Sequence, residues 1–193
     1  TAVADEIAER SITLLKNGRD LLPLRGTRSA SVLSVSFRGG SNLMAGRQFN
    51  RSLRETYPRL TSVDVDADAD EETYASVLRR VRGQDLVVVS TYSSYAGAVD
   101  ALDQLAEFIE QVRRSGVPHV VISFGNPYLI SSFPETQAYL LAWNGSEASQ
   151  RAAARALLGR FDIVGQVPTS IPPLFELGDG LQVPMKATTA VDR

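Results

Sequence analysis

The apolar positions of this chain alternate between helical and strand spacing from one end to the other. The opening segment AVADEIAERSITLLKN places Ile7, Ala8, Ile12, Leu14 and Leu15 on one face, which predicts a helix from Ala2 to Lys16 closed by Asn17-Gly18. Leu21-Leu22-Pro23-Leu24 reads as an extended apolar anchor. Ser31 to Phe37 predicts the first strand, followed through Arg38-Gly39-Gly40-Ser41 by a helix reaching about Tyr57. Ser62 to Val65 predicts a short strand and Glu71 to Val81 a helix. The run DLVVVS, Asp85 to Ser90, has the continuous β-branched character of a central strand covered on both faces.

The same alternation continues. A helix is expected from Val99 to Arg114, stopped by Ser115-Gly116 and Pro118, and a strand over Val117 to Phe124. Gly125-Asn126-Pro127 breaks that strand and starts a short helix ending near Phe133. Gln137 to Trp143 predicts a strand, Ser146 to Leu158 an alanine-rich helix capped by Ser146 and ended by Gly159, and Gln166 to Ile171 a last edge strand that tolerates Pro168. Short strands alternating with longer helices mean βαβ units. The expected fold is α/β: a doubly wound, mostly parallel sheet of about five or six strands flanked by helices, a three-layer α/β/α sandwich. One domain over residues 1–193 is expected, with an extended tail over 172–193.

Composition narrows the function. The 193 residues carry 20 basic and 22 acidic groups, a net charge of -2, and no basic run interleaved with aromatics, which argues against a nucleic-acid partner. No apolar stretch has the length of a membrane span. With no cysteine, thiolate nucleophiles, disulfides and cysteine metal sites are excluded.

In open α/β sheets, ligands meet the crest beyond the carboxyl ends of the strands. Here that crest comprises Arg38 to Asn42, Thr91 to Gly97, Gly125 to Tyr128 and Asn144-Gly145. Its Tyr, Ser, Asn and Gly suit hydrogen bonds to hydroxyl groups and stacking on a sugar, although the same residues build turns and caps. The glycines at 39 and 40 lack the later glycine of a dinucleotide fingerprint and the Lys-Ser/Thr of a P-loop, so a tight turn explains them better. Asp64, Asp66, Asp68 and Asp70 alternate, but the sixth and twelfth places of a calcium loop hold Ala69 and Ala75, and no metal or other cofactor is expected. The single histidine, His119, falls at the start of a strand, away from the crest, which points to a structural role. Trp143 could platform a sugar, but an aromatic at a strand end more often completes a core. Between Leu86 and Gly97 there is no Asp or Glu, so this chain presents no acid/base pair at its central crest loop and no catalytic residue is assigned.

Several segments, in order, resemble the C-terminal α/β-sandwich domain of family 3 glycoside hydrolases: AERSITLLKNGRDLLPL, DLVVVSTY, VPHVVISFGNPYLISSFP, the alanine-rich helix ending ALLG, and GQVPTSIP followed by LFELGDGL. The resemblance implies a domain excised from a larger chain, whose TIM barrel supplies the aspartate nucleophile and is absent here. In the β-glucosidase-like branch the second domain adds a glutamate acid/base. TYSSYAG offers none, and Glu135 or Glu147 would serve only under another loop alignment. The absence of that glutamate and the SFGNPY segment resemble the β-N-acetylglucosaminidase-like branch, whose acid/base His/Asp lies on the barrel and whose substrates are terminal N-acetylglucosamine residues of peptidoglycan or chitin fragments.

The expected partners are that barrel, the glycan it shares, and in some members a fused serine hydrolase domain. Tyr92, Ser93, Tyr95, Asn126 and Tyr128 are the candidates for a cleft wall. The chain should fold alone without hydrolysing glycosides. The alternatives are an independent sugar- or nucleotide-binding module, a β-glucosidase-type domain, and a purely structural domain. Localisation is left open, a bacterial periplasmic or secreted setting being preferred to a cytoplasmic one.

Overall fold

The computed structural model describes residues 2–39, 42, 44–66, 68–92 and 99–186. Six strands form one sheet: β1 (Thr13–Asn17), β2 (Val32–Arg38), β3 (Thr61–Asp66), β4 (Leu86–Tyr92), β5 (His119–Ser123) and β6 (Ala138–Leu141). Their order is β1-β6-β5-β4-β2-β3. All pairs are parallel except β1 with β6. Among the described residues five α-helices flank the sheet: α1 (Ala2–Ser11), α2 (Arg47–Arg54), α3 (Glu71–Val81), α4 (Val99–Arg114) and α5 (Glu147–Leu157). A 3-10 helix over Pro127–Ser132 follows β5.

Strand alternation divides the core into two layers. Val32, Leu86, Val88, Val120, Ile122 and Leu140 face Ala8 of α1, Phe49 and Leu53 of α2 and the alanines of α5. Leu33, Val35, Val87, Val89, Val121 and Tyr139 face Tyr74 and Val77 of α3 and Phe108, Ile109 and Val112 of α4. Both faces of β4 are buried throughout, as its continuous apolar run predicts. The three-layer sandwich expected from the sequence is therefore present.

Two expectations change. The predicted helix to Lys16 stops at Ser11, and Thr13–Asn17 instead forms an edge strand antiparallel to β6. Ile12, Leu14 and Leu15 are all buried, and as a strand they send Leu14 into one core layer and Leu15 into the other. The second change concerns Gln166 to Ile171, which is not a strand of the sheet: β1 takes the edge. The last part of the chain instead folds back over that edge through isolated bridges, Leu14 with Leu181 and Ile163 with Val183. The Leu181 amide donates to the Leu14 carbonyl at 2.7 Å, covering backbone that would otherwise be open to pairing.

Candidate functional site

The connection from β2 passes to α2 on one face of the sheet, while that from β4 leads to α4 on the other. Adjacent β2 and β4 therefore form the topological switch point, the place where open α/β sheets bind ligands beyond the strand ends. Arg38 and Tyr92 are the register partners that end this pair.

Tyr92 is only 7% exposed, its ring stacked on Phe124 at 4.5 Å between centroids and 6° between planes. A Cβ on Gly145 would approach that ring to 3.3 Å, so Gly145 lets the β6–α5 loop lie close against it. Burial pushes the Tyr92 hydroxyl well above its ordinary range and keeps it neutral. Asn126 is half-buried, and its side chain accepts from the Tyr128 amide at 2.9 Å, capping the 3-10 helix. The Asn126 carbonyl accepts from Ser123 Oγ at 2.7 Å. Tyr128 packs onto the α3/α4 layer, on the opposite side of the sheet from Tyr92. Ser93 and Tyr95 lie outside the described residues.

The acidic run has local work. Arg38 holds Asp66 at 2.9 Å and approaches Asp64 at 4.0 Å. Asp70 caps α3, accepting from the Thr73 amide and hydroxyl, which pulls its carboxyl below the ordinary range. Among the described residues no cluster of His, Asp and Glu could hold a metal ion. The Trp143 indole donates to the Ser11 carbonyl at 2.9 Å, pinning the α1–β1 junction to the end of β6. Glu147 starts α5 on the crest side and meets Arg151 at 3.7 Å, whereas Glu135 precedes β6 at the opposite end.

Sequence reading misses Gln150. It is 1% exposed, and its side-chain oxygen accepts from the Gln48 and Phe49 amides, each at 3.2 Å. Its nitrogen donates to the carbonyls of Met44 at 3.3 Å and Gly145 at 2.9 Å. Helix α2 has Gly46 at its N-cap and no side-chain cap of its own, so α5 supplies one and ties two crest loops together. The only local signal is that missing cap.

His119 lies at the other end of the sheet, buried, with Nε2 accepting from the Gln137 amide at 3.1 Å and Nδ1 3.3 Å from the Val117 carbonyl. Those partners fit the neutral ring with its proton on Nδ1. Burial lowers its pKa from the ordinary 6.5. The unfolded chain then binds a proton that the folded chain refuses, so stability falls as pH drops from about 7 towards the lowered value. Urea midpoints should decrease over that interval, and His119→Gln should flatten this part of the profile. A wild-type slope unchanged by the substitution would contradict the assignment.

Residues 12–189 match the family profile described as the glycosyl hydrolase family 3 C-terminal domain. The chain belongs to this family. No curated protein matches in sequence. Among solved structures, a fungal multi-domain family 3 β-N-acetylglucosaminidase aligns with TM-score 0.77 at 19% identity, over 91% of this chain and 20% of that one. A β-glucosidase from Listeria innocua aligns at 0.70 and 25%, over 89% and 26%. The family 3 β-N-acetylglucosaminidase from Paenibacillus sp. str. FPU-7 aligns at 0.69 and 21%, over 86% and 32%. This family 3 domain thus spans a third or less of each. None of its helices is long and apolar enough to cross a membrane, among the described residues.

Proposed function

We propose that this family 3 domain packs against a catalytic barrel of its parent chain and closes one side of the barrel's cleft with its crest. The parent acts as a β-N-acetylglucosaminidase on peptidoglycan or chitin-type glycans. The observation that carries this reading is chemical: Thr91 to Gly97, the end of β4 and the residues that follow it in the sequence, contains no carboxylate. Retaining hydrolysis needs a nucleophile and an acid/base across the bond, in most families two carboxyl groups about 5–5.5 Å apart, and this stretch supplies neither. Among the described residues the Asn126 amide nitrogen has no acceptor, which leaves it for a substrate hydroxyl, while Ser93 and Tyr95 follow β4 in the sequence.

A β-glucosidase-type reading is favoured by one observation, the position of Glu147 on the crest side at the start of α5. The two readings separate by assay. The parent protein should hydrolyse an aryl N-acetylglucosaminide in preference to an aryl glucoside, and Glu147→Gln should leave kcat unchanged. A preference for glucoside, with kcat falling roughly 100- to 10,000-fold in Glu147→Gln as for loss of a general acid/base, would replace the proposal with the alternative.

A further inference from the structure

Beside the switch point, a groove of about 430 Å³ runs along α2 past Ser62 and Asp64 of β3. Arg47, Arg51 and Arg54 line it at i, i+4 and i+7, one face of a helix whose other face buries Phe49 and Leu53. Among the described residues none of the three meets a carboxylate, and Arg51 has no side-chain partner there. Arg54 donates to Ser62 Oγ at 2.7 Å, and Arg47 reaches only the Met44 sulfur at 3.5 Å. Of the arginines lining the depression between α3 and α4, Arg79 and Arg114 are each paired with a glutamate, and only Arg82 has no ion pair among the described residues.

Helix stability accounts for Arg51 and Arg54, which sit in the last turn where the macrodipole favours a cation, but not for Arg47, which occupies the first turn, where a cation is disfavoured and no acidic residue is present. The carboxylates bordering the groove are drawn elsewhere, Asp64 towards Arg38 and Glu147 towards Arg151. A buried side chain adds a second, independent pointer. Asn50, 5% exposed, lines the groove and uses its oxygen to accept from Ser34 Oγ at 2.6 Å. Its amide NH₂ has no acceptor among the described residues and is the end left for a ligand.

We infer that this groove binds a sugar-sized ligand bearing an oxyanion, carboxylate or phosphate. Guanidinium forks hold the anion, and Asn50 donates to a neighbouring oxygen. The assignment is independent of which glycosidic bond the parent enzyme cleaves.

An amide-resolved NMR titration of the 193-residue chain at low ionic strength tests it. The probes are a glucose phosphate ester, glucuronate, inorganic phosphate and glucose. The phosphate ester or glucuronate, whichever carries the matching anion, should saturably shift amides of residues 44–54 and 62–64, more tightly than inorganic phosphate, with glucose inert. Arg47→Gln and Arg51→Gln should each weaken binding roughly 10-fold or more, as for loss of a charge-assisted hydrogen bond. Arg82→Gln should not. Because all three arginines are exposed, unchanged melting temperatures should confirm that the variants fold. No saturable shift with either sugar acid, binding indifferent to Arg47 and Arg51, or inorganic phosphate binding as tightly as the phosphate ester would each overturn the proposal.

Discussion

Gly165→Ala should lower stability by about 3 kcal/mol or more, a melting-temperature loss on the order of 6–12 °C for a chain of this size. A Cβ at Gly165 would lie 2.2 Å from the Ile12 carbonyl oxygen and 2.9 Å from Thr13 Oγ1. The first obstacle is backbone, at the junction of α1 and β1, and cannot rotate away. Gly180 repeats the constraint, its added Cβ falling 2.3 Å from the Gly165 carbonyl oxygen. The folded-back chain is therefore nested against β1, and the Ile163–Val183 and Leu181–Leu14 hydrogen bonds depend on that closeness. Gly39→Ala is the matched control, since nothing lies within 4 Å of its added Cβ. Equal melting temperatures for the two variants would show that the return of the chain over β1 contributes nothing to stability.

Gln150→Leu should cost about 2–4 kcal/mol, because removing the amide strips the partner from two N–H groups and two carbonyls at once. The Gln48 and Phe49 amides belong to the first turn of α2, which has no other cap. The loss should therefore be local as well as global. Hydrogen exchange at Gln48 and Phe49 should accelerate more than at the amides of β4. Uniform acceleration would place Gln150 in general packing, outside the capping role. Since the same side chain holds the Met44 and Gly145 carbonyls, the variant should also loosen the two crest loops that flank Tyr92.

The parts of this fold legible in the sequence are those whose neighbours lie close along the chain. Asp70 and Ser146 cap α3 and α5 through side chains bonded three residues onward, so both helix starts can be read locally. β4 and β5 are buried on both faces, and uninterrupted β-branched runs announce that. Thr13–Asn17 is different. Its apolar spacing suits either a helix face or a two-sided strand, and the choice is made by pairing with β6, Thr13 opposite Leu141. The crest is legible as composition but not as geometry. Whether Tyr92 faces a ligand or a neighbour depends on Phe124, which the sequence places on another strand. Gln150 shows the same limit, since its partners are 101 and 102 residues away and a glutamine within an alanine-rich helix carries no local mark of them.

The central claim is that the crest of this family 3 domain shapes the cleft of a barrel in the parent enzyme. Kinetics of the parent carrying Tyr95→Ala or Asn126→Ala, set beside melting temperatures, test it most directly. Removing a side chain that touches the substrate should raise KM or lower kcat/KM roughly 10-fold, about 1.4 kcal/mol of binding, with melting nearly unchanged. Unaltered kinetic constants in both variants, with lowered melting temperatures, would contradict the claim and leave the domain as a scaffold for its barrel.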